Sequence, residues 1–125
     1  MAIKGMHHVA VGIPAGAENE ARRFYRDLLG LDEIPKPDSL AGRGGLWLQT
    51  PDGLQIHLQI DEPDAGRSRR HFGLVVDGGS SIKTRMKKAG YWSRDDVDIP
   101  GFSRFFVNDP WGNQIELLSP KVETR

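Results

Sequence analysis

PDGLQIHL at residues 51–58 returns as PWGNQIEL at residues 110–117, with Pro, Gly, Gln, Ile and Leu in the same positions. A second pair lies upstream, where HVAV at residues 8–11 corresponds to HFGL at residues 71–74. Because the copies occur in the same order, the sequence predicts two related modules in one chain. In the longer stretch a Pro and Gly turn precedes alternating apolar residues, which predicts a β-hairpin in each module.

Length and composition limit the classes of protein that this chain can represent. At 125 residues we expect one domain, with module 1 at about 5–60, a linker at 61–69, module 2 at about 70–119 and a charged tail at 120–125. The 17 basic and 17 acidic side chains cancel, which favours a small-molecule partner over nucleic acid or a membrane. No apolar stretch of signal-peptide or membrane-spanning type is present, so we expect a cytoplasmic protein.

Both modules show the same order of elements. In the first, the pattern predicts a strand at 6–13, a helix at 18–29, a short strand at 31–34, a Gly- and Pro-rich loop at 35–45 and a hairpin. In the second it predicts a strand, a helix over 82–89 capped by Ser80 or Ser81, and another hairpin. The predicted class is α+β.

Four polar residues share one face of the predicted strands. Side chains alternate between the two faces of a strand, and in each strand the aliphatic residues occupy the face expected to pack on the helices. The opposite face carries the four polar residues His8, His57, His71 and Glu116. His7 has the other parity, and we assign it no role.

Imidazole and carboxylate groups in this pattern indicate a metal site. A single strand histidine is usually an ordinary hydrogen-bonded residue, but four such groups at repeat-related positions on one face favour metal binding. The chain has no cysteine, so thiolate ligands are excluded. The expected cofactor is a divalent transition metal, and Fe, Ni, Co, Mn and Zn all suit these donors.

Three motifs carry a resemblance to a known family: HHVAV at 7–11, FYRDLLGL at 24–31 and FVNDPWGNQIEL at 106–117. The chain resembles the vicinal oxygen chelate superfamily, which includes glyoxalase I, fosfomycin resistance proteins, extradiol dioxygenases and bleomycin resistance proteins. The resemblance implies two βαβββ modules that form a cupped eight-stranded mixed sheet with helices on its outer face. It also implies a homodimer.

The resemblance assigns ligands by position. His8, His71 and Glu116 match the three ligands shared by the metal enzymes of the superfamily. His57 matches a fourth position, where glyoxalase I and related isomerases commonly have Glu or Gln. His57 is therefore a ligand, a base or a residue beside the ligands, and these alternatives remain open at this point. The pattern is equally compatible with a site formed in one chain or shared across a dimer.

Three functions are compatible with these residues. The leading one is a metal-dependent glyoxalase-like lyase or isomerase, which acts on a small oxygenated metabolite through Lewis-acid stabilisation of an enediolate, with Glu116 or His57 as the catalytic base. The second is an extradiol-type Fe(II) dioxygenase. The third is a non-catalytic resistance protein that binds an antibiotic or metabolite.

Three further residues share the parity of the ligands and are predicted to bind substrate. Trp47 and Phe106 occupy equivalent positions in the two modules and suit the wall of a pocket. Arg104 suits a carboxylate or phosphate and indicates an anionic substrate.

Overall fold

A computed structural model describes residues 2–61 and 70–121. The chain divides into two compact units, Met1–Pro63 and Asp64–Arg125. The predicted linker, apart from residue 61, and residues 122–125 of the predicted tail lie outside the described residues. Among the helices of the described ranges, none is long and apolar enough to cross a membrane.

Unit 1 has the order βαβββ. Its elements are β1 (His8–Ile13), α1 (Glu18–Ala21) with a π-helical continuation (Arg22–Leu28), β2 (Asp32–Ile34), a 3-10 helix (Asp38–Arg43), β3 (Leu46–Gln49) and β4 (Gln55–Ile60). The strands form a four-stranded mixed sheet in the order β1-β4-β3-β2, with β1 parallel to β4. The pairing of β3 with β4 confirms the first predicted hairpin.

The helix predicted at 18–29 is present, but most of it is not α-helical. From Arg22 the backbone widens into π-helical turns, and the Leu29 N–H donates to the Phe24 carbonyl, five residues back, at 2.9 Å. Phe24 and Tyr25 are fully buried in this segment. The widened turns therefore place two consecutive aromatic side chains in the core of unit 1.

Unit 2 repeats the βαβββ order. Its elements are β5 (His71–Val75), α2 (Gly79–Lys88), β6 (Ser93–Ile99), β7 (Phe102–Asn108) and β8 (Gln114–Pro120). The sheet order is β5-β8-β7-β6, and β5 is parallel to β8. The second predicted hairpin is confirmed by the β7–β8 pairing.

The predicted serine cap of the second helix is wrong. Helix α2 begins at Gly79, and its N-cap is Gly78 in a left-handed conformation (φ 66°), a region that favours glycine. Gly79 lies so close to the Ser119 hydroxyl that a Cβ atom would collide with it. Ser80 and Ser81 consequently lie within the first turn, and neither side chain caps the helix.

The pairing of strands inside unit 1 is equivalent to the pairing inside unit 2. In unit 1, His57 on β4 pairs with Ala10 on one side and with Trp47 on the other. In unit 2, Glu116 on β8 pairs with Gly73 and Phe106 in the same way. This equivalence confirms the predicted α+β fold with two βαβββ modules, and the four strands of each module form a mixed sheet.

The aliphatic face of each sheet forms the core, as predicted from the alternation. Buried aliphatic residues occupy equivalent positions on the last strand of each unit: Ile56, Leu58, Ile115 and Leu117. The predicted ligands project from the opposite face because they alternate with these residues.

Candidate functional site

A stack of three rings surrounds His57 in unit 1. The His57 and Trp47 ring centroids are 3.7 Å apart at an interplanar angle of 3°, and the His57 and His8 centroids are 4.1 Å apart at 11°. These contacts follow from the sheet, since Trp47 is the register partner of His57 and His8 lies on the strand on its other side. We call Trp47, His57 and His8 the three-ring stack.

His57 is held as a neutral imidazole. Its side chain hydrogen-bonds through Nε2 to Gln55 Oε1 at 2.8 Å, and only 7% of the residue is exposed. Burial, together with the smaller effects of the neighbouring His8 and His7, lowers the pKa of His57 to about 4. If Nε2 carries the hydrogen that Gln55 accepts, Nδ1 retains a lone pair.

His7 belongs to this cluster, although sequence parity gave it no role. Its Nδ1 lies 2.9 Å from the Nδ1 of His8, and its ring meets the rings of His8 and His57 edge-on. Strand β1 begins at His8, so strand alternation does not extend to residue 7. The only indication of this role in the sequence was that His7 directly precedes His8 at the start of the strand.

The three-ring stack borders a cavity of about 560 Å³ in unit 1. The 3-10 helix and the residues around it contribute Lys36, Leu40 and Arg43 to its lining. A volume of this size accommodates a small organic molecule.

Unit 2 places an ion-pair network at the equivalent position. Glu116, which is 8% exposed, accepts a hydrogen bond from His71 Nε2 at Oε1, at 2.9 Å. Its other oxygen, Oε2, lies 3.5 Å from Arg104 Nη1. The network therefore holds both carboxylate oxygens of Glu116, one on an imidazole and one on a guanidinium.

Arg104 already has protein partners. Its Nε donates to the Val97 carbonyl at 2.8 Å, and Nη2 lies 3.7 Å from Asp96 Oδ2. The guanidinium groups of Arg104 and Arg94 both lie over the Phe106 ring. Arg104 therefore contacts Glu116, Asp96 and Val97, and the two guanidinium groups cover part of the Phe106 ring, which was predicted to contact substrate.

Comparison with known proteins finds solved structures that have the same fold as this chain. A glyoxalase family protein from Bacillus anthracis is 37% identical, covers 97% of this chain and 98% of its own, and superimposes with a TM-score of 0.86. This chain belongs to the vicinal oxygen chelate superfamily. No protein-family model matches the sequence, and no curated protein is similar to it.

Two solved structures of lower sequence identity share the fold. The antibiotic-binding protein TnmS3 from a Streptomyces species is 22% identical, with 97% of this chain and 99% of that one covered and a TM-score of 0.71. FosX from Listeria monocytogenes, a fosfomycin resistance protein complexed with Mn(II) and sulfate, is 16% identical, with 97% and 94% covered and a TM-score of 0.76. The same fold thus occurs in proteins described by different activities.

The imidazole and carboxylate groups suit the divalent metal that superfamily membership implies. The orientation of the His8 and His57 rings in unit 1, however, does not allow both rings to bind one metal ion. An imidazole nitrogen binds a metal in the plane of its ring, and two nearly parallel rings 4.1 Å apart have no common in-plane position between them. His8 or His57 must therefore rotate before both bind one ion. Among residues 2–61 and 70–121, no group of three or more His, Asp or Glu side chains is arranged to hold a metal.

Proposed function

We propose that this protein is a metal-dependent lyase or isomerase of the glyoxalase type, acting on a small oxygenated metabolite. The proposed metal donors are His8 and His57 in unit 1 and His71 and Glu116 in unit 2. The observation that supports the proposal is the equivalence of the two pairs. Each unit brings two potential ligands into contact at the same register positions, on the sheet face opposite the core.

The identity of the proposed metal stays open among Fe, Ni, Co, Mn and Zn. The Mn(II) complex of FosX supports a divalent metal in this superfamily. When bound, such a metal supplies Lewis-acid polarisation of substrate oxygens.

Glu116 is the proposed proton acceptor. A proton on His57 would create a buried cation beside two other histidines, which the lowered pKa of His57 shows to be unfavourable. Glu116 is the other candidate, and a carboxylate accepts a proton without becoming a cation. His71 and Arg104, which hold one oxygen each, orient this carboxylate.

Binding without turnover is the second candidate function. The specific observation in its favour is that Glu116 is already paired with Arg104 and His71, so this carboxylate has charged or polar protein partners without a metal. The three-ring stack also offers aromatic surface to a bound molecule. TnmS3 is an antibiotic-binding protein with the same fold.

Solvent exchange at carbon tests the proposed chemistry. The untagged protein is incubated in D₂O with α-hydroxyketones and α-oxo acids, with and without each metal, and deuterium incorporation is followed by NMR. We expect metal-dependent exchange that is lost in Glu116→Gln. Deuterium exchange that is unaffected by a metal chelator would contradict the proposal. Oxygen uptake with catechols would indicate a dioxygenase instead of a lyase or isomerase.

The proposed assembly is a homodimer, as membership of the superfamily suggests. Light scattering coupled to size-exclusion chromatography should give twice the chain mass. A mass equal to one chain would contradict this assignment.

A further inference from the structure

The cavity of unit 1 combines an aromatic wall with positive charge. His7 and the three-ring stack contribute one part of its lining, and Lys36 and Arg43 contribute another. Flat rings bind to aromatic walls by offset stacking or edge-to-face contact. The remaining lining includes Leu40 and Ile60, which are apolar.

Among the described residues that line this cavity, none carries a carboxylate, although the chain contains as many acidic as basic side chains. Lys36 Nζ donates to the Gly44 carbonyl. The pKa of Glu18 is lowered mainly by the hydrogen bond from the Gly45 N–H, and the charge of Lys36 makes a smaller contribution in the same direction. Neither Lys36 nor Arg43 forms an ion pair with an acidic side chain in residues 2–61 or 70–121. Arg43 differs from Lys36 because, within these residues, its guanidinium does not donate a hydrogen bond to a carbonyl either. Arg43 is therefore the cation with the most capacity for an external anion.

The geometry points to a ligand class: the cavity of unit 1 binds a planar, conjugated organic anion, whose ring lies against the three-ring stack and whose carboxylate or phenolate meets Arg43. This inference deepens the proposed function, on which it rests, because His8 and His57 belong both to the cavity lining and to the proposed metal donors. It assigns the anion contact to Arg43 of unit 1 and not to Arg104, whose guanidinium is engaged by Glu116, Asp96 and Val97.

Isothermal titration calorimetry on full-length, metal-stripped protein tests the inference with three probes. These probes are 2-naphthoate, its neutral isostere 2-naphthamide, and cyclohexanecarboxylate, which has the charge without the flat ring. We expect 2-naphthoate to bind roughly fivefold or more tightly than either of the other two. Equal affinity for 2-naphthoate and 2-naphthamide would show that the cavity does not select an anion. Equal affinity for 2-naphthoate and cyclohexanecarboxylate would show that it does not select a flat ring.

Two variants locate the binding. Arg43→Gln should abolish the preference for naphthoate over naphthamide, and Trp47→Leu should weaken both naphthalene probes by about tenfold. Arg23→Gln is the matched control, since Arg23 is exposed in the same unit but does not line the cavity. A naphthoate preference that survives Arg43→Gln, or falls equally in Arg23→Gln, would overturn the inference.

Metal content of the same preparations before stripping separates this inference from the proposed function. If the protein retains a metal but binds no planar anion, the ligand class is wrong and the proposed chemistry stands. If it binds planar anions as expected but never retains a metal, the proposed chemistry is wrong and the binding site stands.

Discussion

The two units have the same frame but different electrostatic environments at one equivalent position. In unit 1 this position holds His57, neutral and enclosed by the rings of Trp47 and His8. In unit 2 it holds Glu116, paired with His71 and Arg104. The strand order and register around both residues are equivalent. Sheet register therefore determines where a functional side chain lies, and the residues on adjacent strands determine which groups it contacts.

The shared frame predicts equal stability losses in the two cores. Ile56 and Ile115 occupy equivalent positions and are both fully buried. Ile56→Ala and Ile115→Ala should each lower the free energy of unfolding by about 2–5 kcal/mol through lost burial and cavity formation. Urea denaturation checks this. Losses that differ by more than the scatter among repeated measurements would show that the two cores are not packed alike.

The neutral state of His57 predicts a pH-dependent loss of stability. An unfolded histidine gains a proton near pH 6.5, whereas folded His57 remains neutral down to a pH of about 4. Between these values the unfolded state binds the extra proton, so stability present above pH 6.5 is lost as the pH falls towards 4. The contribution of His57 in metal-stripped protein should be roughly 3 kcal/mol.

Urea denaturation at pH 7 and pH 4.5 measures this contribution when wild type is compared with His57→Gln. The variant should lose less stability than wild type over this interval. An identical loss in the two proteins would show that His57 has no lowered pKa. NMR titration of the His57 ring gives an independent reading.

The ion pair of unit 2 predicts a smaller effect. Arg104→Met removes the guanidinium beside the buried Glu116 carboxylate, while His71 remains as a partner. We expect a loss of about 1–3 kcal/mol at pH 7, because Glu116 then lacks one charged neighbour. Arg94→Met is the control. The Arg94 guanidinium also lies over the Phe106 ring, but its ion pair is with Asp96 and not with Glu116. Equal losses in the two variants would attribute the effect to Phe106 packing.

Much of this architecture follows from local sequence signals. The repeat and the two-residue alternation were sufficient to place His8, His57, His71 and Glu116 on the face opposite the core, because register is strongly specified when one face is buried. Trp47 and Phe106 were likewise assigned to equivalent positions. These features depend only on strand periodicity and on turn residues.

Other features depend on contacts that periodicity does not encode. Over the seven residues 22–28, α- and π-helical spacing of apolar residues cannot be distinguished, so the π-helical segment was not predicted. The bonding of Arg104 to Glu116 and Asp96 depends on side-chain conformation across three strands. His7 lies just before β1, where alternation gives no guidance.

Metal content tests the central claim most directly. Elemental analysis of untagged wild-type protein should find about one divalent transition metal per chain. Glu116→Gln and His57→Gln should each weaken metal retention by on the order of tenfold or more. Glu33→Gln, which changes a carboxylate paired with Arg22 in unit 1, should retain the wild-type amount. Metal retention in Glu116→Gln equal to that of wild type would contradict the account.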